Sequence, residues 1–192
     1  MKYKSLIITL LLLPYCALAQ MAQNQTLIHD LTALIKQKDN YTQQKERKIK
    51  ETIDLLRVPN ASAEQRYAIN QRLFDEFKTY ISDSAVYYVK ENIRIAEELQ
   101  KTDLQNDSRL SLASLYIISG NYLDAADLLR AIDKEQLQEP QLIQYYNCYL
   151  NLYNNYAFNN PDAKTYIAKS DAYRDLLLNL VDKNSTHYIL LY

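Results

Sequence analysis

The chain has 192 residues, 22 basic and 23 acidic, with two cysteines and a single glycine. A net charge of −1 gives no electrostatic case for binding nucleic acid or an anionic membrane, and two cysteines are too few for a disulfide framework. One glycine cannot build a phosphate-cradling loop, and it allows few left-handed turns or bulges, so the backbone is expected to be almost all helix.

Residues 1–19 read as an export leader. Lys2 and Lys4 supply positive charge, Leu6 to Leu13 an apolar run, and Ala17-Leu18-Ala19 a small-residue cleavage site. The run is shorter than the roughly 20 residues of a membrane span, and Pro14 argues against a stable anchor helix. A lipid anchor at Cys16 is the competing reading, although Tyr15 is larger than the residue such a site takes before its cysteine. Cleavage after Ala19 would deliver an exported, periplasmic protein with 20 basic and 23 acidic residues, since Lys2 and Lys4 leave with the leader. Its one remaining thiol, Cys148, sits among Tyr145, Tyr149 and Leu152 and reads as a small buried hydrophobe.

Residues 20–58 are expected to form a charged helical hairpin or cap. Leu27, Ile28, Leu31, Leu34 and Ile35 recur at helical spacing, and Asp39-Asn40 offers a cap or bend before a second helix from Tyr41 to Arg57. In that second stretch Ile49, Ile53 and Leu56 form a narrow apolar stripe, suited to capping an array or to touching another subunit of a homo-oligomer. The residues leave open whether the two segments are one continuous helix.

Residues 59–183 are expected to be repeated helix pairs, and 184–192 the start of a further helix. Val58-Pro59-Asn60 stops the preceding helix, and Ser62 with Gln65 opens the next as a capping box. That helix runs through Leu73, Phe74 and Phe77 to Ile81; Ser82 or Asp83 then caps another, marked by Ala85, Tyr88, Val89 and Ala96. A polar break is expected at 103–107, with helices at 108–118 and 122–132 folding back on each other at Gly120. Pro140 fits the first turn of a tyrosine-rich helix ending at Phe158, and Pro161-Asp162 starts one ending near Val181.

Around Gly120 the spacing is that of a tetratricopeptide signature: Ala113, Tyr116, Gly120, Tyr122 and Ala125. Ala85, Ala125 and Ala163 open three successive second helices, 40 and 38 residues apart, against about 34 in the ideal repeat. The expected fold class is therefore all-α, an α-α superhelix of tetratricopeptide-like hairpins. Aligned on Ala113 and Gly120, the first-helix positions that line the concave groove of such a stack are Asp107, Leu110, Ser114 and Ile117. Leu110 and Ile117 are expected to be exposed there for a partly apolar protein or peptide partner. Tyr145, Tyr149 and Tyr153 share a stripe; with 18 tyrosines and no tryptophan in the chain, these either fill gaps between repeats or serve recognition, and on the second reading Tyr145 and Tyr149 join the partner-binding groove.

No catalytic constellation stands out, and neither cofactor nor metal is expected. His29 and His187 are isolated and read as ordinary surface side chains, without the spacing of zinc ligands. Asp83-Ser84-Ala85 matches a short O-glycan acceptor motif at Ser84, although helix capping accounts for the same residues.

The succession of leader, Leu27-x-x-x-Leu31, Tyr41-x-x-x-Lys45-Glu46-x-x-Ile49, Phe74-x-x-Phe77-x-x-Tyr80-x-x-Asp83-Ser84-Ala85-x-x-Tyr88 and Leu112-Ala113 to Ala125 resembles a known family. It is similar to the exported N-terminal half of tetratricopeptide regulators of Bacteroides-group bacteria. There a periplasmic repeat array precedes one membrane helix, a coiled coil and a cytoplasmic DNA-binding domain. The resemblance implies a sensor or docking array. The chain stops at Tyr192 before any membrane helix, so a shortened regulator is expected, or a stack completed by a partner. A free-standing periplasmic scaffold and a glycan-binding outer-membrane lipoprotein are the rival readings.

Overall fold

A computed structural model describes the backbone of residues 2–79, 82–158 and 160–191, and side chains from Leu27 onward except His29. The described residues form helices and no strands. Tyr80, Ile81, Asn159, Tyr192 and the leader side chains, Cys16 included, lie outside the description. The chain separates into two units, one up to Lys50 and one from Glu51 onward.

The first unit is a single helix. Helix α1 runs Lys2–Leu55, entering the second unit at its last turn, and it passes straight through Asp39 and Asn40. The expected hairpin at 20–58 is therefore corrected. Asp39 and Asn40 are helix-compatible residues, and with no glycine or proline beside them nothing forces the backbone to turn.

The second unit contains three helical hairpins. α2 (Ala63–Phe77) pairs with α3 (Ser82–Glu98), α4 (Thr102–Ile118) with α5 (Tyr122–Arg130), and α6 (Glu139–Phe158) with α7 (Ala163–Leu180). A short α8 (Thr186–Leu191) packs on α7. α4 also packs on α3 and α6, which joins the hairpins in series. Ser62 and Gln65 form the reciprocal capping box that starts α2, with both hydrogen bonds made. Ser82 and Asp83 lie inside α3 rather than capping it.

At Gly120 the backbone takes φ +83. The Gly120 N–H donates to Ile117 and the Asn121 N–H reaches back to Tyr116 at 2.8 Å, a Schellman closure that turns the chain into α5. Ala85 and Ala125, in the first turns of α3 and α5, are fully buried where small side chains let paired helices approach; Ala163 is half-buried.

Helix α4 begins at Thr102, ahead of the expected start at Ser108. The stretch taken as a polar break is helical because its polar groups find partners on neighbouring helices. Ser108 is buried and meets the Tyr67 hydroxyl of α2 at 3.0 Å, and that hydroxyl also donates to the Leu104 carbonyl. Gln141 of α6 donates to the Asp103 carbonyl at 3.0 Å and to the Asp107 carboxylate at 2.7 Å.

One core cluster joins α4, α5 and α6 through Leu110, Ala113, Ile117, Ala125, Leu129, Tyr145, Cys148, Tyr149 and Leu152. A second cluster, Leu150, Leu177, Val181 and Leu191, ties α6 to α7 and α8.

Candidate protein-binding groove

The first helices of the three hairpins share one open surface. Between α2 and α4 it is lined by Gln71, Phe74, Asp75, Lys78 and Thr79 on one side and Ser111, Ser114, Leu115 and Ile118 on the other, with Gln144 of α6 beyond. Between α4 and α6 it continues along Ser114, Ile117, Ile118, Cys148, Asn151 and Asn155. Ser114 and Ile118 belong to both stretches, so they lie at the centre. A separate apolar hollow at Leu55, Val58, Ala61 and Ile69 sits at the end of α1 and the start of α2, away from α4 and α6.

The groove is close to neutral. Its ionic groups, Asp75 and Lys78, pair with each other at 2.7 Å one helical turn apart, and the Lys78 ammonium also lies over the Phe74 ring. The remaining polar lining is amide and hydroxyl. On α6, Asn147, Asn151 and Asn155 recur every four residues, and each side-chain N–H donates to the carbonyl one turn earlier. That bond holds each amide against its own helix, and of the three Asn151 and Asn155 line the groove. Among these amides stands Ile118, 82% exposed.

Several expected groove residues are placed differently. Leu110 is fully buried and Ile117 is 4% exposed. Both belong to the α4 stripe Leu110, Ala113 and Ile117 that packs against α5 and α6. The apolar groove residue is Ile118, one position on, because the stripe facing the core takes 110, 113 and 117. Ser114 does line the groove, and its hydroxyl lies 3.2 Å from the Cys148 sulfur. Asp107 is half-buried at the α4–α6 junction, where loss of water raises its carboxyl above the ordinary range and the Gln141 amide partly offsets this.

Tyr145 and Tyr149 are buried as well, at 8% exposure each, so they are corrected from groove to core. Tyr149 stacks on Tyr173 of α7 at 4.7 Å with the rings nearly parallel, and meets Tyr145 edge-on at 5.0 Å. The aromatic ladder continues through Tyr153, Tyr166, Tyr156 and Tyr122, binding α5, α6 and α7 together. Burial pushes the Tyr173 hydroxyl up to about 12 and raises that of Tyr149 further.

Cys148 is buried, and desolvation lifts its thiol to about 11, against the Ser114 hydroxyl, so it stays protonated and unreactive. Ser84 is half-buried in the first turn of α3. His187 is half-buried and its ring nitrogen lies 3.2 Å from the Asn147 oxygen; His29 has no described side chain. Among the described residues no cluster of His, Cys, Asp or Glu is arranged to hold a metal, and no helix is long and apolar enough to cross a membrane.

Sequence reasoning missed Gln144, Asn151 and Asn155. The available signal was the four-residue spacing of asparagines within the tyrosine-rich helix, which marks one solvent stripe.

Helical hairpins stacked in series, joined where α4 packs on α3 and α6 and turned at a left-handed glycine, define an α-α superhelix of the tetratricopeptide class, a protein-interaction architecture. A family model for the SusR N-terminal TPR domain matches residues 35–192, and the chain belongs to that family. No curated protein and no solved structure matches the chain.

Proposed function

We propose that this chain is the exported, periplasmic sensor region of a membrane-spanning transcriptional regulator, and that the groove over α2, α4 and α6 is where its protein or peptide partner docks. The observation that carries the reading is membership of the SusR N-terminal TPR family across residues 35–192. The groove supports it physically. An exposed Ile118 beside the Asn151 and Asn155 amides can hold one apolar side chain of a partner while pairing its backbone, and the mutually paired Asp75 and Lys78 leave no net charge to select an acidic or basic ligand. The chain works by binding, without a catalytic centre or cofactor. The leader Lys2 to Ala19 supports export, and an O-glycan on Ser84 would accompany it; intact mass of the exported protein reads both.

Two experiments test the reading. Alkaline phosphatase fused after Leu191 should be active in cells, which requires delivery beyond the cytoplasm; an inactive fusion at normal abundance refutes export. Capture from envelope extracts should yield a partner with the native chain and lose it at least tenfold with Ile118→Glu, at unchanged helicity. Equal capture by both proteins refutes the groove assignment.

A further inference from the structure

Five aliphatic side chains of α1, Leu27, Ile28, Leu31, Leu34 and Ile35, are each 56–68% exposed. Spaced by one, three, three and one, they fall on a single side of the helix over two and a half turns. We propose that this face pairs with the same face of a second copy, antiparallel, with Leu31 on the two-fold axis.

The stripe is symmetric about Leu31. Leu27 lies four residues before it and Ile35 four after; Ile28 lies three before and Leu34 three after. A two-fold axis through Leu31 therefore sets Leu27 against Ile35 and Ile28 against Leu34, so every aliphatic position meets another. That self-complementarity is the requirement for an isologous interface.

Charge fixes the direction. Lys38, seven residues after Leu31, returns to the same stripe. In a parallel, in-register pair Lys38 would face Lys38 at a core position, whereas the antiparallel pair sets it opposite position 24, an asparagine. Over residues 27–41 Asp30 and Asp39 balance Lys36 and Lys38, so a copy of the segment is not repelled. The same balance disfavours an anionic lipid surface, which selects helices with a basic polar face. Five side chains per copy are fewer than the 20–30 residues of a standard interface, so the dimer is expected to be reversible, with Kd on the order of 10 µM. The inference is independent of what occupies the groove.

Sedimentation of the purified full chain from roughly 1 to roughly 300 µM brackets that constant. The expected result is a monomer that doubles in mass across the range, and a Leu31→Glu variant that stays monomeric with unchanged helicity and melting. Disulfide trapping reads the direction. In a Cys16→Ser background, with Cys148 buried, Leu27→Cys protein mixed with Ile35→Cys protein should cross-link. Neither should link to itself, because like positions lie about 12 Å apart along the axis. A monomer at the highest concentration overturns the proposal, as does a Leu31→Glu dimer. Self-linked Leu27→Cys with no mixed product, or a monomer that floats with phosphatidylglycerol vesicles, overturns it equally.

Discussion

The turns that end α3 and α4 share one backbone geometry and differ in the residue that makes it. Gly120 has φ +83 and Gln100 has φ +55. In both turns the next N–H reaches back five residues, from Lys101 to Ala96 at 3.0 Å and from Asn121 to Tyr116 at 2.8 Å. Glycine adopts this conformation freely, whereas glutamine is destabilised by about 1 kcal/mol or more.

A parallel contrast runs through the interiors of the same regions. Asn92 of α3 is fully buried, and neither its amide nitrogen nor its oxygen finds a hydrogen-bond partner among the described residues. Gln141 of α6 is also buried, but its amide bridges to Asp103 and Asp107 of α4. Among the described residues, Asn92 within α3 and Gln100 just after it thus carry desolvation and conformational penalties that Gln141 and Gly120 do not. In an array whose repeats touch mainly their neighbours, such penalties stay local. Amide hydrogen exchange should accordingly find α2 and α3 opening before α4, α6 and α7.

The sharpest way to break this contrast is to weaken the strong side. Leu129→Ala, at a fully buried position of the central core, is expected to destabilise by about 2–5 kcal/mol in denaturant unfolding. Deleting the two buried amides should then give opposite outcomes. Gln141→Ala is expected to be destabilising by about 2 kcal/mol, since it strips Asp107 of its donor, while Asn92→Ala should be neutral or stabilising by about 1 kcal/mol. Equal losses would mean that Asn92 is partnered in solution.

Alkaline pH should weaken the tyrosine ladder specifically. Burial raises the hydroxyls of Tyr145, Tyr149 and Tyr173 above the ordinary 10, so the unfolded chain ionises first. Their contribution is complete below pH 10 and is lost as pH rises toward 12. Melting temperature should fall through that window, and Tyr149→Phe with Tyr173→Phe should flatten the fall. The smallest effects are expected at the turns. Gly120→Ala should be destabilising by about 1 kcal/mol through φ alone, since a Cβ there meets nothing within 4 Å, and Gln100→Gly should stabilise by about 0.5 kcal/mol.

The hairpin plan was legible wherever it rests on local chemistry: the capping box at Ser62 and Gln65, the glycine turn at Gly120, and the small first-turn alanines at Ala85 and Ala125. What escaped depends on neighbours. The 103–107 segment reads as a break until Tyr67 and Gln141 are known to satisfy it from other helices. Gln100 carries no propensity for the conformation it adopts. At the groove, Ser114 lines the open surface as its position in α4 implies, but Ile117 and Ile118 are indistinguishable in sequence. Only the packing of α5 and α6 decides which of the two turns inward, and the same packing draws Tyr145 and Tyr149 into the core.

That adjacent pair offers the most direct test of the stacked hairpins and of the groove they form. Denaturant unfolding of Ile117→Glu beside Ile118→Glu should separate them widely: Ile118→Glu within about 0.5 kcal/mol of the native chain, and Ile117→Glu destabilised by about 3 kcal/mol or more. Equal stabilities, or the larger loss at Ile118, would contradict the packing of α4 between its neighbours and remove the groove with it.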